Sequence, residues 1–298
     1  MKKFLEKFNF KKLILNMMRI NLSFQILLSI LGIFISIGLI NLNILYGQID
    51  KPISDQNSNE LPYKILLQNK TTNYYNDAIG YLVYPSVLNA TGNGHKFPAV
   101  IMIHEWWGLN DNIKKTANKL SKEGYVVLAV DLYNGKVTND PDRARELSGI
   151  VRANPEEAIT NLKAAVGFLG SLENVDKSRI ASLGWCFGGG QSLQLALNSQ
   201  QHPLNATIIY YGNLITDKQS LSKIHWPVLG IFGDKDTSIP VEQVNQFKNA
   251  LDANKIVNEI YIYKDVGHAF ANPSNENYAP KETADAWQKT LDFLNKYL

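Results

Sequence analysis

One cysteine occurs in the 298-residue chain, and it stands where a nucleophile would stand. Cys186 lies in GWCFGGG (Gly184 to Gly190), after the strand-like RIASL and before the helix-like QSLQLALN. Strand, tight turn and helix with the nucleophile at the apex form a G-x-C-x-G elbow. Gly184 and Gly188 fit positions where a side chain would strike the neighbouring strand or helix. The sulfur would sit at a helix N-terminus, where free amides and the dipole favour the thiolate.

A thiol used this way needs a base and a group to orient that base. Downstream, the apolar VLGIFG runs into DKDTSIP, which offers Asp234 and Asp236. EIYIYK then runs into DVGHAFANP, which places His268 just past a strand. The chain order is therefore nucleophile, acid, histidine. Asp236 is the preferred orienting acid, with Asp234 expected to cap the turn through its own backbone. Upstream, IMIHEWWGLND ends an apolar strand in Glu105, Trp106 and Trp107. A carboxylate between a strand end and two indoles would lose solvent, which raises its pKa. His95, His202 and His225 have no acid or nucleophile motif around them, and His104 reads as a strand-end residue without assigned chemistry.

These groups need a scaffold that brings several strand ends together. Apolar runs at Ala99–Ile103, Val126–Val130, Ile180–Gly184, Thr207–Tyr211, Val228–Phe232 and Ile260–Tyr263 read as strands. Between and after them, helical patterns cover Asn112–Glu123, Pro141–Val151, Pro155–Ser171, Gly189–Asn198, Val241–Ala253 and Lys281–Tyr297. Val- and Ile-rich strands alternating with helices predict an α/β fold: a mostly parallel sheet covered on both faces. Gly80–Tyr84 is expected to add an antiparallel edge strand. Trp287 falls on the apolar stripe of the last helix and is expected in the core. Open sheets of this kind place their sites at the carboxyl ends of the strands, where His268 and the acids lie.

GWCFGGG, FGDKDTSIP, GHAFANP and HEWWG, in this order and spacing, resemble the dienelactone hydrolase family of α/β-hydrolases. The resemblance extends over roughly residues 65–298. It implies an α/β-hydrolase fold and hydrolysis of a carboxylic ester or lactone through a thioester acyl-enzyme. It further implies Cys186 as nucleophile, His268 as base, Asp236 as orienting acid, and Glu105 as the glutamate that hydrogen-bonds the resting cysteine. The oxyanion would be held by the backbone amides of Phe187, which follows the nucleophile, and Trp106. Their side chains, with Trp107, would form pocket wall.

The match departs from the family at the substrate. Members that cleave dienelactones hold the substrate carboxylate with two arginines. Arg145, in DPDRARELSG, is the better match to the first, with Arg143 beside it, though it equally suits a helix-surface cation. The position of the second is Asn272, and a neutral amide cannot replace a bidentate guanidinium. A less acidic or larger ester or lactone is therefore expected. No metal-ligand spacing, dinucleotide fingerprint or P-loop occurs, so no cofactor is expected.

The first 62 residues are a different kind of sequence. Residues 1–21 carry six cations against one acid, and Leu22 to Tyr46 is mostly apolar and uncharged. Roughly twenty apolar residues cross a bilayer as a helix. The segment suits an uncleaved anchor, with a cleaved signal as the alternative. In both, the basic flank stays in the cytoplasm and the domain from 63 to 298 lies outside. Residues 47–62 read as a linker. Beyond the basic flank the chain is net −2, which gives no basic patch for nucleic acid. Oligomeric state is not legible. Two other classes fit an activated thiol on this fold: a non-catalytic membrane-tethered binding protein, and a redox sensor, which would lack a resolving cysteine in the chain.

Overall fold

The computed structural model describes residues 65–87, 96–201 and 204–298. Its centre is an eight-stranded sheet with the order β1-β2-β4-β3-β5-β6-β7-β8. The strands are β1 Ile65–Tyr75, β2 Ala78–Val87, β3 Phe97–Ile103, β4 Val126–Val130, β5 Val175–Trp185, β6 Ala206–Tyr210, β7 Val228–Gly233 and β8 Asn258–Tyr263. β3 to β8 pair in parallel; β1 and β2 form an antiparallel hairpin, and β2 joins β4 antiparallel. This is the mostly parallel α/β sheet that the alternation of strands and helices predicts, and the α/β-hydrolase fold that the resemblance implies.

The period-two alternation of each strand divides the core. In β4, Val126, Leu128 and Val130 face one helical layer, whereas Val127 and Ala129 face the other. Both faces are apolar because both are covered, as a parallel sheet requires. The covering helices are α1 Asp111–Lys122, α2 Pro141–Ala153, α3 Pro155–Ser171, α4 Phe187–Leu197, α5 Lys218–Leu221, α6 Val241–Ala253 and α7 Pro280–Tyr297. Local chemistry fixes their starts. The Asn110 side chain accepts from the Ile113 amide at 3.2 Å to cap α1. Asp140 accepts from the Asp142 amide at 3.0 Å ahead of Pro141 in α2.

Two expectations need correction. Gly80–Tyr84 lies within β2, which is an interior strand, and the edge is β1. β1 is rich in Asn and Thr and is held by local hairpin pairing around Asn76, at φ 41°, rather than by an apolar run. Trp287 is only partly buried and lines a cavity, because its helix position faces a gap beside α1. Among the described residues no helix is long and apolar enough to cross a membrane. The expected anchor, Leu22 to Tyr46, lies outside the described residues, as do the basic flank and linker.

The crossing of β5 into α4 is the tightest point of the scaffold. A Cβ on Gly184 would lie 2.1 Å from the Gly188 carbonyl oxygen, and one on Gly188 would lie 2.3 Å from that of Ile103. Both obstacles are backbone, so neither can rotate away. Gly188→Ala should therefore destabilise the domain by about 1–3 kcal/mol or more, the range of overpacking. Urea unfolding that superimposes on wild type would show that the β3 and α4 backbones separate freely.

Candidate active site

β5 ends at Trp185, and Cys186 turns the chain into α4 with φ 53° and ψ −117°. Positive φ is costly for a residue with a Cβ. The turn is held by hydrogen bonds on both sides: the Cys186 amide donates to the Tyr210 carbonyl at 3.0 Å, and the Gly190 amide to the Cys186 carbonyl at 3.2 Å. The partly exposed sulfur therefore projects from the carboxyl edge of the sheet.

The loop after β8 brings His268 to it, with Nε2 3.1 Å from Sγ. Nδ1 lies 2.7 Å from Oδ2 of Asp236, in the loop after β7. Asp236 is 3% exposed, and its Oδ1 accepts from the amides of Ser238 at 2.8 Å and Ile239 at 3.0 Å. Two amides thus fix the acid, the acid fixes the ring, and the ring meets the thiol. Burial alone would disfavour the imidazolium, but the hydrogen bonds to Asp236 and Cys186 and the charges of both outweigh it, and the pKa is pushed up to about 10. Asp234 has a different task from the one expected of it. It accepts from the Asp265 amide at 2.6 Å and ties the loop after β7 to the loop after β8.

Glu105 lies just past β3 and is 3% exposed. Burial pushes its pKa up to about 7, against the opposing pull of His268 and the Asn272 amide. Its expected hydrogen bond to the cysteine is replaced: Oε2 accepts from Asn272 Nδ2 at 2.5 Å, while the sulfur pairs with His268. Asn272 is itself buried and does not line the cavity at Cys186, so its expected contact with substrate is corrected to a hold on Glu105.

That cavity is about 350 Å³ and includes Glu105, Trp106, Trp107, Cys186, Phe187 and His268 in its wall. Among the described residues, the backbone amides of Trp106 and Phe187 donate to no backbone carbonyl, and both belong to residues of the wall. Arg145 is not in the wall. It is exposed on the first half of α2, paired with Asp142 at 2.5 Å. The helix approaches the site with its last turn instead, through Leu147 and Val151 against Phe187. Arg152, on that turn, lines the cavity with its guanidinium 5.7 Å from the Phe187 ring centre. The spacing carried a signal for it, since Arg145 and Arg152 are seven apart and share a helix face.

Two further residues escaped the sequence reading. The fully buried His104 accepts from the Leu132 amide through Nε2 at 3.2 Å, so Nδ1 carries the proton and meets the Glu105 carbonyl at 2.5 Å. Burial lowers its pKa, and as a neutral ring it pins the backbone at the head of the Glu105–Trp107 loop. Tyr211, at φ 35° just after β6, packs edge-on against His268 at 5.3 Å. A hydrophobic strand end followed by a glycine was its only mark in the sequence.

The sequence profile of the Dienelactone hydrolase family matches residues 86–298. This chain belongs to that family. A protein of Salmonella typhimurium described as "Putative carboxymethylenebutenolidase" is 32% identical over 211 residues, covering 67% of this chain and 77% of its own. "Protein usf" of Aquifex pyrophilus is 31% identical over 206 residues, covering 67% of this chain and 89% of its own. Among solved structures, the "Putative Dienelactone Hydrolase from Klebsiella pneumoniae" superposes with a TM-score of 0.66 at 25% identity, over 78% of this chain and 100% of that one. The chain is accordingly a carboxylic ester hydrolase of the dienelactone hydrolase type.

The electrostatics give a pH signature. Ionised Glu105 supports the His268 imidazolium, and it loses that charge as pH falls through about 7. Alkylation of Cys186 by iodoacetamide should therefore slow below that pH in the wild type. In Glu105→Gln it should be slower by about tenfold at pH 8, which corresponds to about 1.4 kcal/mol, and should lack the inflection. Coincident profiles of the two proteins would exclude the coupling.

Proposed function

We propose that this dienelactone hydrolase-type enzyme cleaves a carboxylic ester or lactone with Cys186 as nucleophile, through a thioester intermediate. The observation that carries the reading is the continuous contact Asp236–His268–Cys186, at 2.7 and 3.1 Å, with the sulfur opening on a cavity. The thiolate sulfur attacks the substrate carbonyl carbon, and the oxygen takes the charge, facing the amides of Trp106 and Phe187. Collapse breaks the carbon–oxygen bond, and the departing alkoxide takes the proton from Nε2 of His268. A lactone keeps that new hydroxyl on its opened chain.

Acylation removes the negative sulfur, which is one of the two partners holding the proton on His268. The ring is then the better base for the second half. A water gives its proton to Nε2 as its oxygen attacks the thioester carbonyl. The second tetrahedral species expels the thiolate, releases the acid and restores the thiolate–imidazolium pair. Asp236 orients the ring throughout and stays ionised.

Arg152 sets the charge preference in this reading, since it is the one lysine or arginine lining the cavity among the described residues and the His268 imidazolium is paired with Asp236 and the sulfur. Glu105 lies in the same wall, so the cavity suits a neutral or singly anionic ester better than a strongly acidic one. The apolar segment Leu22 to Tyr46, behind its basic flank, would anchor the domain outside the cytoplasm. Full-length protein should then resist carbonate extraction from membranes, whereas a chain lacking residues 1–50 should not sediment with them.

Hydrolysis of a short aryl ester, a neutral lactone and a dienelactone tests the chemistry. Wild type should turn over at least one, and Cys186→Ala should be folded and inactive. Retained turnover in that variant would refute the thiol mechanism. Arg152→Ala should raise KM for a carboxylate-bearing ester by about fivefold, or about 1 kcal/mol for one charge-assisted contact at a rim, and leave a neutral ester unchanged.

A further inference from the structure

A second cavity lies on the other side of Glu105. It measures about 200 Å³, is walled by α1 and α7, and reaches down to Glu105 and Tyr211, which also line the cavity at Cys186. The site chemistry described above makes no use of it. Its walls carry Thr116 and Lys119 from α1, Trp287 from α7, and Tyr278 from the segment before it.

The polar groups of this cavity are out of balance. The Lys119 ammonium lies 4.2 Å from the Trp287 ring centre and forms no ion pair among the described residues. Lys119 is exposed at the cavity mouth, where partial loss of solvent holds its pKa below that of a free lysine and Glu123 pulls the other way. The Trp287 indole N–H is buried without a hydrogen-bond partner. A buried donor with no acceptor costs about 1–3 kcal/mol. The only acid in the lining is Glu105, and its Oε2 is already held by Asn272. The cavity thus offers an ammonium outside any ion pair and an unpaired indole N–H beside the flat faces of Trp287 and Tyr278.

We propose that this cavity is a binding site for a small organic carboxylate, whose anion pairs with Lys119 and whose apolar body lies against Trp287 and Tyr278. An organic cation is the alternative that aromatic walls suggest. Here Lys119 already occupies the face of Trp287 and repels a second positive charge. The size is also restrictive, since cavities for drug-sized ligands run to about 300–1,000 Å³. A monocyclic aromatic acid or a short fatty acid is the fitting class.

The site has a consequence for catalysis, and this part rests on the ester hydrolysis proposed above. That reaction releases a carboxylic acid, the class of ligand the second cavity suits. Bound there, an anion stands on the far side of Glu105 and opposes its ionisation. The other groups that act on or contact Glu105 are His268, Tyr211 and Asn272. Occupancy thus removes the charge that supports the His268 imidazolium, and the enzyme slows without its substrate cavity being blocked.

The test titrates benzoate into full-length protein by calorimetry. Wild type, protein with Cys186 blocked by iodoacetamide, Lys119→Met and Trp287→Phe are compared. Binding should survive the Cys186 block, weaken by about fivefold or more in Lys119→Met, and weaken measurably in Trp287→Phe, which keeps the ring and loses the N–H. Benzoate should inhibit ester hydrolysis by lowering kcat, and Lys119→Met should relieve that while its uninhibited kcat matches wild type. No heat of binding, or binding abolished by the Cys186 block and indifferent to Lys119, would overturn the site. Lys119-dependent binding with kcat unchanged would overturn the coupling to Glu105. Lys119-dependent binding to a protein that hydrolyses no ester would leave the site standing and remove the hydrolytic reading instead.

Discussion

Everything at the site depends on one backbone constraint, the passage of Cys186 through positive φ between β5 and α4. A residue with a side chain stays in that conformation only when its surroundings fix it from several directions. Here the fixings are close backbone approaches that leave no room for a Cβ, Gly188 against the β3 backbone and Gly184 against the first turn of α4. Contact at those distances forces β3, β5 and α4 into one rigid unit. That unit holds the sulfur, the Phe187 amide and the residues after Ile103 in fixed relation. The chemistry is therefore set by backbone packing, and the side chains need only be supplied by loops of sufficient reach.

Those loops are themselves stiffened by polar contacts as well as by buried apolar residues such as Ile239, Val266 and Phe270. Asp236 is held by two amides, Asp234 ties its loop to the one after β8, and His104 joins the loop after β3 to the backbone after β4. The contacts of Asp236 and His104 satisfy buried groups that a loop would otherwise leave unpaired. The same arrangement explains the charge order of the site. Asp236 is buried but amply hydrogen-bonded and supports a cation on His268. Glu105 is buried with a single amide partner, so desolvation dominates and its carboxyl titrates near neutrality.

Much of this was legible in the sequence because its causes are local. The glycine pattern around Cys186, the apolar runs ending in acids, and the alternation of strands with helices all follow from short-range rules of conformation and burial. Asp236 was preferred over Asp234 on turn position, yet it is Asp236 that bonds the turn backbone and Asp234 that reaches the loop after β8. What was not legible depended on how distant elements meet. Arg145 and Arg152 share one face of α2, and only the approach of that helix to Phe187 decides that the later one lines the cavity. Trp287 has the spacing of a core residue, but the gap beside α1 leaves it in a wall. β1 lacks the apolar pattern of a strand because hairpin pairing, not burial, forms it.

Asn272 shows how the choice of one residue beside Glu105 sets the charge of the site. An arginine there would carry a charge in need of a partner, and the adjacent Glu105 would be that partner. Glu105 would then be held ionised, and its capacity to exchange a proton near neutrality would be lost. A neutral amide holds the carboxyl in place with one hydrogen bond and leaves its charge free to vary. Arg152 supplies a positive charge to the same cavity from α2. Because both cavities reach Glu105, its ionisation is open to charge that enters either one.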